Sequence, residues 1–325
     1  MRRVITVLGV GLIVLVCGPA FFYGLFPEEP PALPSPDRLV EIRSDTRMHV
    51  VDRGAGPVSV LVHGAPGNAL DWRELQAALT ERGQRTIAID RLGYGHSDPR
   101  LDAPHTPNSN AQDLLQLLEV EDLRDVTVVG WSYGGVTAIQ AALTDPSRIG
   151  RLVLVGTAGP DSPDATPPEP NAVVGALYST PMLLYRRAVP PLSRALQAAL
   201  SDQAFSGGAQ PDWWAHDLAA NFASWKTTLT YRNEIFADVT PVPGEVPFEP
   251  SKVDLPTLIL HGDDDRLAPI AIARYLDEIM PASELTEFPA GSHMLPITHA
   301  EEVADRVLEF LQVDPAPGPR SSEPT

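Results

Sequence analysis

Glycines stand two residues before and two residues after Ser132 in the run Gly130-Trp131-Ser132-Tyr133-Gly134-Gly135, and no other feature constrains the fold as much. The run follows a β-branched stretch, Val126 to Val129, and precedes a helical pattern from about Val136 to Leu143. A serine held on so sharp a strand-to-helix turn needs neighbours without Cβ atoms, so that the backbones can pass each other.

The rest of the chain repeats the same alternation of short β-branched runs and helical patterns, which predicts an α/β fold with a mostly parallel central sheet flanked by helices. Strands are expected at Met48 to Asp52, Val58 to His63, Arg85 to Asp90, Val126 to Gly130, Arg151 to Val155, Thr257 to His261 and Glu284 to Phe288. Asn68 with Asp71, and Thr298 with Glu301, have the spacing of capping boxes at helix starts. Between about residues 160 and 250 the alternation stops, and helical stretches near Ala172 to Tyr185, Pro191 to Leu200 and Trp213 to Phe236 predict an inserted helical cap.

Prolines mark the boundaries. They cluster at Pro27 to Pro36, Pro160 to Pro170, Pro241 to Pro250 and Pro315 to Pro324. The expected organisation is a leader over 1–26, a Pro-rich linker over 27–37, a core over 38–159 and 251–313, the cap over 160–250, and a disordered tail over 314–325. The leader carries Arg2 and Arg3 ahead of 23 uncharged residues, Val4 to Phe26, enough for a helix of about 34 Å. It reads as a signal anchor with the catalytic domain on the extracytoplasmic side, Phe21, Phe22 and Tyr23 forming an interfacial belt. Gly18-Pro19-Ala20 leaves a cleaved signal peptide and secretion as the alternative. Val16 before Cys17 does not fit a lipobox.

With 24 Lys plus Arg against 42 Asp plus Glu the net charge is −18, which argues against a nucleic-acid partner. Cys17 is the single cysteine, so the chain can form no internal disulfide and no thiolate metal site. No cofactor or metal is expected, and the partner is a small, partly apolar substrate.

Three further segments complete a chemistry around Ser132. His63-Gly64-Ala65-Pro66-Gly67 follows an apolar strand and can aim the Ala65 N–H at Ser132, forming with the Tyr133 N–H a two-donor oxyanion hole. His261-Gly262 runs into Asp263-Asp264-Asp265, where the spacing to Pro269 favours Asp265 as the acid that orients a histidine, with Asp161 as the rival. His293, in Ala290-Gly291-Ser292-His293 after the last strand, is the expected base. His63 and His261 end buried strands and read as structural, and His299 sits where a helix dipole disfavours its cation.

The order Ser132, Asp265, His293, together with the HGAPG loop, resembles the α/β-hydrolase superfamily in its HGxPG-bearing, helical-cap branch over roughly residues 38–313. Asp90-Arg91-Leu92-Gly93-Tyr94-Gly95-His96-Ser97 is similar to a D-x-x-G-x-G-x-S turn of that branch, where it plays a shaping part. The resemblance implies a serine hydrolase that cleaves a carboxylic ester or related acyl substrate through an acyl-enzyme. Epoxide hydrolases and haloalkane dehalogenases of the branch use Asp at this position, because they displace at an sp3 carbon. Serine suits an acyl carbon. Proline iminopeptidase-like amidases, C–C bond hydrolases, perhydrolases and non-catalytic receptors of the same fold remain alternatives.

Overall fold

The computed structural model describes residues 17, 19–25, 29, 31–100, 105–159, 176–235 and 245–312. Its centre is an eight-stranded sheet of β1 (Arg38–Arg43), β2 (Thr46–Gly54), β3 (Val58–Val62), β4 (Arg85–Ile89), β5 (Val126–Trp131), β6 (Ile149–Val155), β7 (Thr257–Gly262) and β8 (Ser283–Phe288). The spatial order is β1-β2-β4-β3-β5-β6-β7-β8. The β1–β2 hairpin joins antiparallel to β4, and every pairing from β4 onward is parallel.

The central strands are apolar on both faces, as a sheet covered on both sides requires. Val60, Val62, Ile87, Ile89, Val128, Leu152 and Leu154 enter one core, while Leu61, Ala88, Val129, Val153 and Val155, their neighbours in sequence, enter the other. Helices α2 (Pro107–Val120), α3 (Tyr133–Thr144) and α8 (Ile270–Ile279) supply the first core. Helices α1 (Arg73–Glu81) and α10 (Ala300–Gln312) supply the second.

The first capping box forms as the spacing predicts. Asn68 accepts from Leu70 N at 2.8 Å, while Asp71 accepts from Asn68 N at 2.9 Å, ahead of a 3-10 turn that leads into α1. The second does not. Thr298 ends a short helix, α9 (Leu295–Thr298), and its hydroxyl donates back to the Met294 carbonyl at 3.1 Å, while Glu301 accepts from Arg82. The His299 carbonyl takes the first α10 bond instead, from Val303 N at 2.9 Å.

Between β6 and β7, residues 176–235 form four helices, α4 (Thr180–Ala188), α5 (Pro190–Ala204), α6 (Trp214–Ala223) and α7 (Trp225–Ile235). The single helix expected over Trp213 to Phe236 is broken at Ser224, which turns to extended backbone and accepts weakly from Thr227 N at 3.4 Å. Residues 160–175, 236–244 and 313–325 lie outside the described residues, and with them the Pro160 to Pro170 cluster, Pro241 and Pro243 of the next, and the tail.

Most of the leader is outside them as well, and no helix among the described residues is long and apolar enough to cross a membrane. The end of the linker is tied to the core rather than separate from it. Pro34 O faces His96 Nε2 at 2.7 Å, Asp37 N donates to His49 Nε2 at 3.0 Å, and Arg53 donates to the Asp37 carboxylate at 2.8 Å.

Candidate active site

Ser132 sits between β5 and α3 with φ 55° and ψ −122°, a conformation that side chains beyond glycine rarely adopt. The flanking glycines are there for space. A Cβ on Gly134 would lie 1.9 Å from the Val62 carbonyl oxygen, and one on Gly130 would lie 2.5 Å from the Gly134 carbonyl oxygen. Only bare backbone lets β3 approach the elbow so closely. Tyr133 opens α3, so its N–H has no acceptor within the helix and points out of its positive end.

The β7–α8 and β8–α9 loops bring the other two predicted groups together. Asp265 Oδ2 lies 2.7 Å from His293 Nδ1, both side chains being buried. Its Oδ1 accepts from the Leu267 and Ala268 amides at 2.9 and 2.8 Å. Burial pushes this carboxyl up, but hydrogen bonding to His261 and His293 and to the Ala268 amide outweighs it and holds the group well below the usual carboxylate range. Asp265 is therefore an anion. With Nδ1 bound to it, His293 has Nε2 left for other partners, and its ring lines a cavity that also contains Ser132 and Ala65. Asp161 lies outside the described residues.

His261 reaches the Ala268 carbonyl at 2.7 Å and stands 3.4 Å from Asp265 Oδ2, bracing the acid loop. His63 braces the other side. Its Nδ1 donates to the Gly64 carbonyl at 2.7 Å and its Nε2 accepts from Arg91 N at 3.0 Å. Burial first, and the Arg91 charge second, push its imidazole down to about 3, so it stays neutral.

Two devices had no counterpart in the sequence reading. Trp131, next to Ser132, donates its indole N–H to the His293 carbonyl at 2.9 Å and so ties the elbow to the histidine loop. Arg91 is buried beneath the His63–Gly67 loop, donating to the carbonyls of His63 and Gly64 at 3.1 and 2.9 Å and to Glu234 of α7 at 2.5 Å. Tyr94 donates to the same Glu234 at 2.6 Å. A buried arginine is held charged by that acid despite its burial, and it joins the loop to the cap. Nearby, Asp90 accepts from the Ala69 and His96 amides, each at 2.6 Å, which ties the Asp90–Ser97 turn to the start of the segment after the His63–Gly67 loop.

The cavity over Ser132 holds about 110 Å³. Leu200, Ala204, Trp214, Leu218, Phe222 and Met294 make it apolar, and no Arg, Lys, Asp or Glu is among the described residues that line it. Among the described residues no cluster of His, Cys, Asp and Glu is arranged to hold a metal.

A buried acid and histidine beside a strained serine, set over the carboxyl ends of a mostly parallel sheet, define a hydrolase-type site. The family of the alpha/beta hydrolase fold matches residues 57–300, and the chain belongs to it. It is similar to a 2-hydroxy-6-oxononadienedioate/2-hydroxy-6-oxononatrienedioate hydrolase of Paraburkholderia xenovorans, at 29% identity over 280 residues, 84% of this chain and 93% of that enzyme. A bromoperoxidase from Bacillus anthracis superposes with a TM-score of 0.69 at 28% identity, over 85% of this chain and 99% of that one. An esterase from Exiguobacterium antarcticum superposes with the same TM-score of 0.69 at 23% identity, over 85% and 99% of the two chains, a likeness of fold.

Proposed function

We propose that this α/β hydrolase cleaves carboxylic esters of modest size through an acyl-enzyme on Ser132. The observation that carries the reading is the buried His293–Asp265 pair at 2.7 Å in the cavity of a serine held at φ 55°. In this mechanism His293 Nε2 takes the proton of the Ser132 hydroxyl as Oγ attacks the acyl carbon. The amides of Ala65 and Tyr133 receive the developing oxyanion. His293 then returns the proton to the leaving alcohol, and water, activated by the same imidazole, releases the acid. Asp265 stays ionised throughout and supports the imidazolium that forms twice per cycle.

The relatives' chemistry provides a second reading, hydrolysis of a C–C bond. The dienedioate named for the Paraburkholderia enzyme carries two carboxylates, which need cations or several donors once out of water. The described lining offers no Arg or Lys, its polar side chains being Ser132, Ser201, Tyr231 and His293, and Arg91 below it is already engaged by Glu234. A neutral acyl group fits that cavity better. Its volume of about 110 Å³ favours short acyl chains.

Fluorophosphonate labelling and a panel of p-nitrophenyl esters from acetate to decanoate test the proposal. Labelling of Ser132 with turnover highest on the short esters is expected. Labelling without turnover of any ester, beside cleavage of a 2-hydroxy-6-oxo-dienoate, would establish the second reading instead.

We also propose that the leader anchors the protein in a membrane, with the catalytic domain on the extracytoplasmic side, on the strength of the uncharged run Val4 to Phe26 behind two arginines. Phe21, Phe22 and Leu25, which lie in helical backbone, leave 70%, 54% and 59% of their surface uncovered by the rest of the chain. Lipid would cover it.

A further inference from the structure

The cap holds a second cavity, of about 290 Å³, which shares Phe222 with the cavity of Ser132. Phe222 is buried and lines both. The two differ in chemistry. Arg186, Arg187 and Arg194 all line the second, in a chain whose net charge is −18. Arg186 is only 5% exposed, and its Nε has no hydrogen-bond partner among the described residues. What the described residues offer its guanidinium is Tyr178, through a side-chain hydrogen bond and a ring 5.2 Å from Cζ, and a long 3.4 Å bond to the Leu177 carbonyl. A buried guanidinium that no acid among the described residues reaches is costly unless something anionic binds it. Arg187 donates to the Ala223 carbonyl at 2.9 Å and lies over the Trp225 ring. Leu183, Phe222 and Trp225 give the wall an apolar part beside the polar Ser193, Gln197 and Thr228, and Glu29 of the linker stands at the same cavity, so one carboxylate of the chain already lies there.

We propose that this cavity is a binding site for an anionic amphiphile, an oxyanion head group held by Arg186 with Arg187 and Arg194 and a short apolar chain laid on Leu183, Phe222 and Trp225. Carboxylate and phosphate heads share the required chemistry, since both match the guanidinium fork. The site is separate from the ester chemistry at Ser132, and its test needs no turnover.

The full-length Ser132→Ala chain in non-ionic detergent is titrated by calorimetry with hexanoate, hexyl phosphate and hexanol, with heats into detergent alone subtracted. One or both anions should bind, and the tighter one identifies the head group. Hexanol should bind at least about tenfold more weakly, and Arg186→Met should weaken the anion by about tenfold or more. Arg186 is buried, so Arg187→Gln and Arg194→Gln, at exposed positions, provide folded variants, each expected to weaken the anion about threefold. Glu29→Gln should tighten it by removing a competing carboxylate. Hexanol binding as tightly as the anions, or an anion affinity untouched by all three arginine variants, would overturn the proposal and place any binding in the Ser132 cavity.

Discussion

At Ser132 the conformation needed to present the hydroxyl opposes stability. A non-glycine residue at positive φ costs on the order of 1 to 3 kcal/mol, so two substitutions that both remove the hydroxyl should behave differently. Ser132→Ala keeps the strain and Ser132→Gly releases it, against roughly 0.5 to 1 kcal/mol of added chain entropy in the unfolded state. Both variants should lose fluorophosphonate labelling, and the glycine variant should melt about 2 °C above the alanine one. Equal melting temperatures would mean that the elbow is not strained. For the proposed triad, His293→Ala should cost about as much in kcat/KM as Ser132→Ala, several orders of magnitude, because serine and base act as one unit. Asp265→Asn should be milder by about tenfold or more, since it removes orientation and charge support but leaves the base. Steady-state kinetics on one p-nitrophenyl ester decide it, and an Asp265→Asn loss as large as that of His293→Ala would give the acid more than a supporting part. The residues of this site were legible because each follows a strand in a loop of recognisable composition. Trp131 and Arg91 were not. Their partners, the His293 carbonyl and Glu234, lie 162 and 143 residues away in sequence, and no local pattern announces a bond of that span.

At the scale of elements the strands with continuous apolar runs could be read directly, because a strand covered on both faces has no other composition. β1 was missed for the opposite reason. Only Val40 and Ile42 of its six residues are buried, so its alternation is short, and it sits directly after the proline cluster. The second capping box failed because the Thr298 hydroxyl finds the Met294 carbonyl one turn back, a competition that sequence spacing cannot show. Asp71, in the box that does form, is pushed up to about 7 by burial. With its folded value above the ordinary 3.8, Asp71 favours folding below about 4, and that contribution is lost as pH rises towards 7. Asp71→Asn has no such charge to bury. Its advantage in unfolding free energy over the parent should therefore grow between pH 5 and pH 7 by on the order of 2 kcal/mol, read from urea melts at both pH values. An advantage that does not change with pH would remove the buried carboxyl as its source. The cap tryptophans separate in the same way. Trp214 lines the Ser132 cavity, whereas Trp213 donates to Glu74 at 3.0 Å and lies under Arg73, on the seam between cap and core. Trp214→Ala should change the kcat/KM ratio of short to long acyl esters by about tenfold, within the 1 to 3 kcal/mol of one pocket contact. Trp213→Ala should lower the melting temperature and leave that ratio alone. The reverse pattern would exchange their roles.

For the whole molecule, the question is where the hydrolase ends and its proposed tether begins. Proline content alone suggested a separable linker up to residue 37, but composition reports stiffness and says nothing of docking. Pro34 and Asp37 are bonded to His96, His49 and Arg53, and His49 Nδ1 in turn lies 2.8 Å from Asp90, the centre of the turn beside the His63–Gly67 loop. The last part of the linker thus belongs mechanically to the catalytic body. Deleting residues 1–28 should leave those bonds intact and give a protein that is active and no longer sediments with membranes, while the full chain should pellet and resist extraction by alkaline carbonate. Deleting residues 1–37 removes three hydrogen bonds that close β2 and the Asp90 turn, two of them exposed and together with the third worth on the order of 1 to 2 kcal/mol, and should lower the melting temperature by a few degrees relative to the shorter deletion. Sedimentation, ester turnover and thermal melting on the three chains separate the two ideas. A full chain that stays in the supernatant would reject the anchor, and equal stability of the two deletions would reject the docked linker whatever the membrane result.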